Sequence, residues 1–172
     1  SAASDVYKRQ DVNVAHTKVS ILKHAVAFDE KLLLFSDQTQ FILVGGASLT
    51  PGNVSVNVTT EYESLDSVSP VGSGNNVFFG FNKGQFTGVR EMYVESDGET
   101  NQGEDITANI PKYIPSEVFK FANASNENIL VLLSNKTGEK NNLYIYQWFF
   151  SQGRRLQSAW HKWSIGASAN TE

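Results

Sequence analysis

The side chains in this sequence best suited to acid–base chemistry are three carboxylates, Glu61, Glu63 and Asp66, which directly follow the alternating run 53–60 (NVSVNVTT). If that alternation continued through them, Glu61 and Glu63 would share one side of a strand. A glycosidase needs two carboxyl groups held so that one acts as acid and the other as base or nucleophile. Surface carboxylates of an acidic chain give the same spacing with no chemistry attached, and the net charge here is −4. The pair is therefore expected to be solvated. The histidines are His16, His24 and His161, and no two stand at a His-x-x-x-His spacing, which puts two imidazoles on one metal. Ser158 and Ser164 flank His161, but the Gly-x-Ser-x-Gly elbow that exposes a nucleophile is absent. Gly72-Ser-Gly-Asn-Asn76 lacks the Gly-Lys-Ser/Thr that completes a phosphate loop. No catalytic, cofactor-binding or metal-ligating residue is assigned.

The elements that would have to position any site are short and β-rich. Residues 31–35 (KLLLF) and 40–44 (QFILV) flank a polar four-residue loop, 36–39, and form a hairpin. In 53–60 the period of two puts Val54, Val56 and Val58 on one face and Asn53, Ser55, Asn57 and Thr59 on the other. A second hairpin joins 76–81 to 89–94 around 82–84, and a third joins 128–133 to 142–150 around 134–141. Each is preceded by a short apolar lead with a turn, at 24–29, 69–74 and 115–123. The hairpins open at Lys31, Asn76 and Asn128, about 45 and 52 residues apart, close to the ~40–50-residue period of propeller blades. The expected fold is all-β and β-propeller-like, about three blade units of an incomplete ring, over residues 11–165. An antiparallel sandwich is the competing arrangement. Asp105 is expected to cap one short helical turn over 105–110, before Pro111. Residues 166–172 are small and polar and read as an open C-terminal end. Residues 1–10, SAASDVYKRQ, lack the apolar core of a signal peptide; they are read as a non-native, adapter-derived leader on a chain truncated upstream.

Bulk properties narrow the function classes. With 172 residues, 40% hydrophobic and 19% charged, the chain has the composition of an ordinary folded domain. Basic residues adjoin only in pairs, Lys8-Arg9 and Arg154-Arg155, and form no face that would grip phosphates. There are no cysteines, hence no disulfide and no thiolate metal site. The longest apolar runs, 31–35 and 129–133, are far below the ~20 residues that span a bilayer as a helix. The heaviest aromatics gather late, at Trp148, Phe149, Phe150, Trp160 and Trp163. Trp160 and Trp163 are expected in the core of the last unit, with Phe149 or Phe150 at an interface and His161 turned outward beside them.

Two segments are more specific than composition. Asp105-Ile-Thr-Ala-Asn-Ile-Pro-Lys-Tyr-Ile-Pro115, and Leu143-Tyr-Ile-Tyr-Gln-Trp148 with the later Gln157-Ser-Ala-Trp-His-Lys-Trp163, resemble the tail tubular protein B family of short-tailed, autographivirus-type bacteriophages. In that family a Thr-Ala-x-x-Pro-x-Tyr-Ile-Pro element lies between β units, and a Leu-Tyr-x-Tyr strand leads to a Gln-Ser-Ala-Trp-x-x-Trp strand. Residues 26–41 (VAFDEKLLLFSDQTQF) are similar to its blade-opening strand and turn, so the resemblance covers most of 19–163. Asn109 stands where relatives often carry His, and His161 where many carry a small polar residue. The resemblance implies a structural tail nozzle subunit, located in the virion and assembled in the host cytoplasm, that is not an enzyme and uses no cofactor. It implies a homo-oligomeric ring that contacts the tail adaptor protein and the tail fibre protein, with genomic DNA passing through without specific binding. The alternative is a carbohydrate-binding or glycoside-hydrolysing propeller touching the host envelope. Against it, Ser36-Asp-Gln-Thr39 matches only part of the Ser-x-Asp-x-Gly-x-Thr-Trp turn of sialidase propellers.

Overall fold

Every apolar run bounded by turn residues becomes a strand in the computed structural model, which describes residues 21–28, 31–48, 50–94, 101–152 and 154–166. Twelve strands occur among them. The first four are β1 (His24–Phe28), β2 (Lys31–Phe35), β3 (Gln40–Val44) and β4 (Ser55–Thr60). Next come β5 (Val71–Ser73), β6 (Asn76–Lys83), β7 (Phe86–Val94) and β8 (Asn101–Asp105). The last are β9 (Val118–Ala124), β10 (Ile129–Ser134), β11 (Asn142–Ser151) and β12 (Arg154–Ser164). They pair only with chain neighbours, giving three four-stranded antiparallel sheets, β1 to β4, β5 to β8 and β9 to β12. The predicted blade units are these three sheets, and they form an unclosed, propeller-like stack. The apolar leads before each hairpin are the first strands of the blades, and these first strands adjoin one another, β1 with β5 and β5 with β9.

Stacking explains the composition of the middle blade. Successive strand residues point to opposite faces, and in blade 2 both faces are covered. Val77 and Phe79 of β6 pack with Met92 against Phe28, Leu33, Phe35 and Ile42 of blade 1. Phe78, between them, packs with Val89 against Phe121, Leu130, Leu132, Tyr144, Tyr146 and Trp148 of blade 3. A strand buried on both sides reads as a continuous apolar run, which is what 77–81 (VFFGF) is. At the inner edges the backbones come close: Asn123 Nδ2 donates to the Gly72 carbonyl at 2.7 Å, and a Cβ on Gly72 would lie 3.1 Å from the Ala27 carbonyl oxygen. Gly72 is there because a side chain would push blades 1 and 2 apart.

Several expectations shift. The second hairpin turns at Gly84-Gln85, with Gly84 at φ +66°, so β6 runs on through Lys83. The alternation of 53–60 ends with β4 at Thr60. Glu61, Glu63 and Asp66 therefore lie in the connection to blade 2 and do not share a strand face. Residues 105–113 fold as successive i to i+3 turns rather than a regular helix, with N–H to carbonyl bonds from Ala108 to Asp105, Ile110 to Thr107 and Tyr113 to Ile110. Asp105 does cap them, accepting the Thr107 N–H at 2.9 Å. The one short helix among the described residues is a 3-10 turn at Ser125–Glu127. The leader expected at 1–10 lies outside the described residues, and of the expected open end only Gly166 is described.

Candidate functional site

Two of the carboxylates that follow β4 are engaged singly. Glu63 accepts a bond from Asn82 Nδ2 at 2.9 Å. Asp66 pairs with Lys23 at 3.4 Å on the surface. His24 uses both ring nitrogens locally, 3.0 Å from the Asp66 carbonyl oxygen and 3.3 Å from Ser69 Oγ. Ser36 closes its hairpin loop, donating to the Thr39 carbonyl at 2.9 Å and accepting the Thr39 N–H at 3.1 Å. Among the described residues, no three of His, Cys, Asp and Glu gather where they could hold a metal ion.

A buried ion pair lies between blades 2 and 3. Glu91 on β7 is 2% exposed and takes a two-pronged ion pair from Arg155 on β12. One guanidinium nitrogen reaches Oε2 at 2.6 Å and the other bonds Oε1. Asn76 Nδ2 also donates to Oε1, at 2.6 Å. Burial works against the Arg155 charge, but the bound Glu91 carboxylate outweighs it and holds the guanidinium above its ordinary value. This pair joins residues 64 apart in the chain, and no local sequence pattern announces it. A second knot lies at the strap 105–115. Thr107 Oγ1 donates to Asp105 Oδ1 at 2.6 Å and accepts the Val89 N–H at 3.2 Å, while Lys83 pairs with Asp105. Burial alone would raise the Asp105 pKa, but the bonds from Lys83 and Thr107 carry it below the ordinary 3.8. The strap ends as Thr87 Oγ1 donates to the Pro115 carbonyl at 2.8 Å. Trp160 Nε1 donates to the Ile106 carbonyl at 3.0 Å. The two segments that carried the resemblance thus touch each other.

That contact, within a fold of three successive four-stranded blades, is the setting for the comparison with known proteins. The sequence profile of the bacteriophage nozzle protein family matches residues 8–171. The chain belongs to the bacteriophage nozzle protein family. It is 34% identical over 157 residues, 91% of its length, to the tail tubular protein gp12 of Escherichia phage T7, and spans 20% of that relative. Membership makes the chain part of a structural component of a phage tail, and hence of the virion.

The interface candidates of this nozzle-family chain lie on the far side of blade 3. Phe149 is 60% exposed and pairs with Gln157; His161 is exposed and pairs with Ile145. Strand parity puts both on the face turned away from blade 2, where they line one cleft of about 370 Å³ with Gln147, Gln157 and Glu127. A neighbouring cleft of about 510 Å³, lined by Asn75, Asn76 and Asn126, meets it at Asn128 and Trp148. The Phe150 side chain lies outside the described residues. One expectation fails. Trp160 is half-buried against the core, but Trp163 is 59% exposed. Residues three apart on a strand face opposite ways, so the two tryptophans could not both point inward.

Proposed function

We propose that the chain is one section of the wall of a tail conduit, a non-enzymatic piece whose work is packing. The observation that carries this reading is the apolar surface left bare on blade 3, where Phe149, Leu156, Trp163 and Ile165 are each about 60% exposed. Apolar surface of that kind marks association. The parent protein is read as a homo-oligomeric ring, assembled in the host cytoplasm, that docks the tail adaptor protein and the tail fibre protein. The net charge of −4 and the lack of any run of basic residues suit a passage for DNA, because each phosphate neutralised adds affinity and slows transit. The test is the oligomeric state of the parent protein, alone and mixed with the adaptor, by light scattering and electron microscopy. A ring that docks on the adaptor is the expected result; a stable monomer indifferent to the adaptor rejects it.

A second reading has its own observation. The paired clefts are lined by primary amides, Asn75, Asn76, Asn126, Asn128, Gln147 and Gln157, beside Phe149. Amides that both donate and accept, next to an aromatic face, suit neutral sugars. Titrating the parent protein with host envelope oligosaccharide tests it, and an unchanged Phe149→Ala titration rejects it.

A further inference from the structure

One end of the stack sorts its charges by sign. In each four-stranded meander the turn between the second and third strands lies at the same end as the segment that leaves the fourth, and hydrogen bonds join these connections from blade to blade. The Ser64 N–H donates to the Asp37 carbonyl at 2.8 Å, the Thr87 N–H to the Ile114 carbonyl at 2.9 Å and the Asn135 N–H to the Glu117 carbonyl at 2.9 Å. Asn82 Nδ2, next to the 83–86 turn, reaches Glu63. On the blade 1 flank of this end stand the carboxylates Asp37, Glu61, Glu63 and Asp66, with Lys23 as the lysine among the described residues there and His24 hydrogen-bonded beside it. In the middle, Lys83 and Asp105 pair with each other. On the blade 3 flank Lys112, Lys120, Lys136, Lys140 and Lys162 outnumber Glu117 and Glu139. Lys136 and Lys162 both lie in the field of Glu139, and Lys112 precedes Tyr113, whose ring meets that of Tyr144 at 5.7 Å.

Charges of one sign crowded together repel, and a surface with no partner holds both signs interspersed at lower cost. Each flank also frames bare apolar side chains. The Lys23 N–H donates to the Phe35 carbonyl at 2.8 Å, which sets Ile21 and Leu22, 67% and 50% exposed, beside the carboxylates. The Ile165 N–H donates to the Asn141 carbonyl at 2.8 Å, which sets Ile165 and Trp163, 63% and 59% exposed, beside the lysines. An apolar centre inside a charged rim is the build of an association surface, and here it occurs twice with opposite signs.

We infer that the lysine-rimmed flank of blade 3 docks on the carboxylate-rimmed flank of blade 1 in a second copy of this chain. The partner is a second copy because the complement of each flank, in charge and in apolar content, is the other flank of the same molecule. A nucleic acid would answer the lysines but would leave Trp163 and Ile165 bare and offer nothing to Asp37 and Glu61. A contact between two different flanks runs one way, and such contacts close into rings when repeated by rotation. The docking mode rests on the homo-oligomeric ring reading above and names the surfaces that ring would use. Rim charges of this kind set the partner's register and speed its arrival more than they add affinity.

The test reverses one flank at a time in the parent protein, with Lys140→Glu and Lys162→Glu in one variant and Asp37→Lys and Glu61→Lys in another. Each should need at least about a tenfold higher concentration to self-associate, read by sedimentation, because like charges are then set opposite each other. In ~1 M salt, where screening acts within about 3 Å, the difference should close. A chain carrying all four changes has its signs exchanged and should associate as the unchanged protein does, which also shows that the substitutions leave the fold intact. If the two variants assemble like the unchanged ring, or the fourfold variant stays as weak as they are, the docking mode is overturned and the ring reading stands. An unchanged parent protein that stays monomeric overturns both. Loss of duplex-DNA retention by the lysine variant with self-association intact assigns the lysines to nucleic acid and overturns the docking mode as well.

Discussion

At the joint between blades 1 and 2 the buried contacts are mostly aliphatic and phenyl: Phe28, Leu33, Phe35 and Ile42 meet Val77, Phe79 and Met92, with Tyr62 at the margin. The charged pair beside it, Lys23 with Asp66, stays in solvent. At the joint between blades 2 and 3, tyrosine and tryptophan replace much of the aliphatic bulk. Tyr146 stacks on Trp148 at 5.5 Å and leans on Trp160 at 5.0 Å. A buried ion pair and a hydrogen-bonded strap cross the same joint. Sliding the first joint would break neutral hydrogen bonds such as that from the Gly103 N–H to the Tyr62 hydroxyl, at 3.2 Å. Sliding the second costs more, because displacing β12 strands the Glu91 carboxylate, and an unpaired buried charge costs far more than a lost contact.

The largest expected effect comes from Phe78, which is fully buried and whose ring lies 5.2 Å from that of Trp148. Phe78→Ala should destabilise the chain by about 3–5 kcal/mol and change the native tryptophan fluorescence. Phe35→Ala, at the other joint, should cost a similar amount in urea unfolding yet leave that fluorescence unchanged. If both variants move the signal alike, the joints are not separable. Arg155→Met should follow at about 3 kcal/mol, because it leaves Glu91 unpaired. The double variant with Glu91→Leu should recover most of the loss, and failure to recover would mean that the methionine itself is misfitted.

Thr107→Val removes two hydrogen bonds from the strap and should cost about 1–3 kcal/mol in urea unfolding. The same knot sets an acid response. Because the Asp105 pKa is lower in the fold than its ordinary 3.8, the unfolded chain takes up this proton first as pH falls. The Asp105 contribution is whole above about pH 4 and fades as pH drops through the folded value. Asp105→Asn should therefore shrink the stability gap to the parent sequence progressively below pH 4; a gap independent of pH would rule the linkage out. Lys23→Ala should be the mildest change, about 0–1 kcal/mol and weaker still in high salt. A larger loss would give the first joint an electrostatic anchor after all.

The sequence made the blades legible because their strands are local. Hairpins at 31–44, 76–94 and 128–150 announce themselves through alternation and turn residues, and the short leads before them are the first strands. The far faces of β11 and β12 were legible only in part: the sequence left Phe149 or Phe150 open, and it is the pairing register that sets Phe149 and His161 on one side. Strand parity, applied to Trp160 and Trp163, would have turned Trp163 outward. The Glu91–Arg155 pair was not legible, because the partners sit on different blades and only stacking brings them together. Nor did the capping pattern at Asp105 distinguish a helix from consecutive turns, because an Asx bond to the second residue along starts either.

In all three sheets each strand is hydrogen-bonded only to strands next to it in the chain. Loops that must close before a blade exists are therefore short, and loop closure is the entropic toll that slows β proteins. The strands of a blade can pair once its own ~40–50 residues are available, but its faces are buried only when a neighbouring blade stacks on it. Each blade then offers the next a surface to pack on, an arrangement suited to folding in step with synthesis.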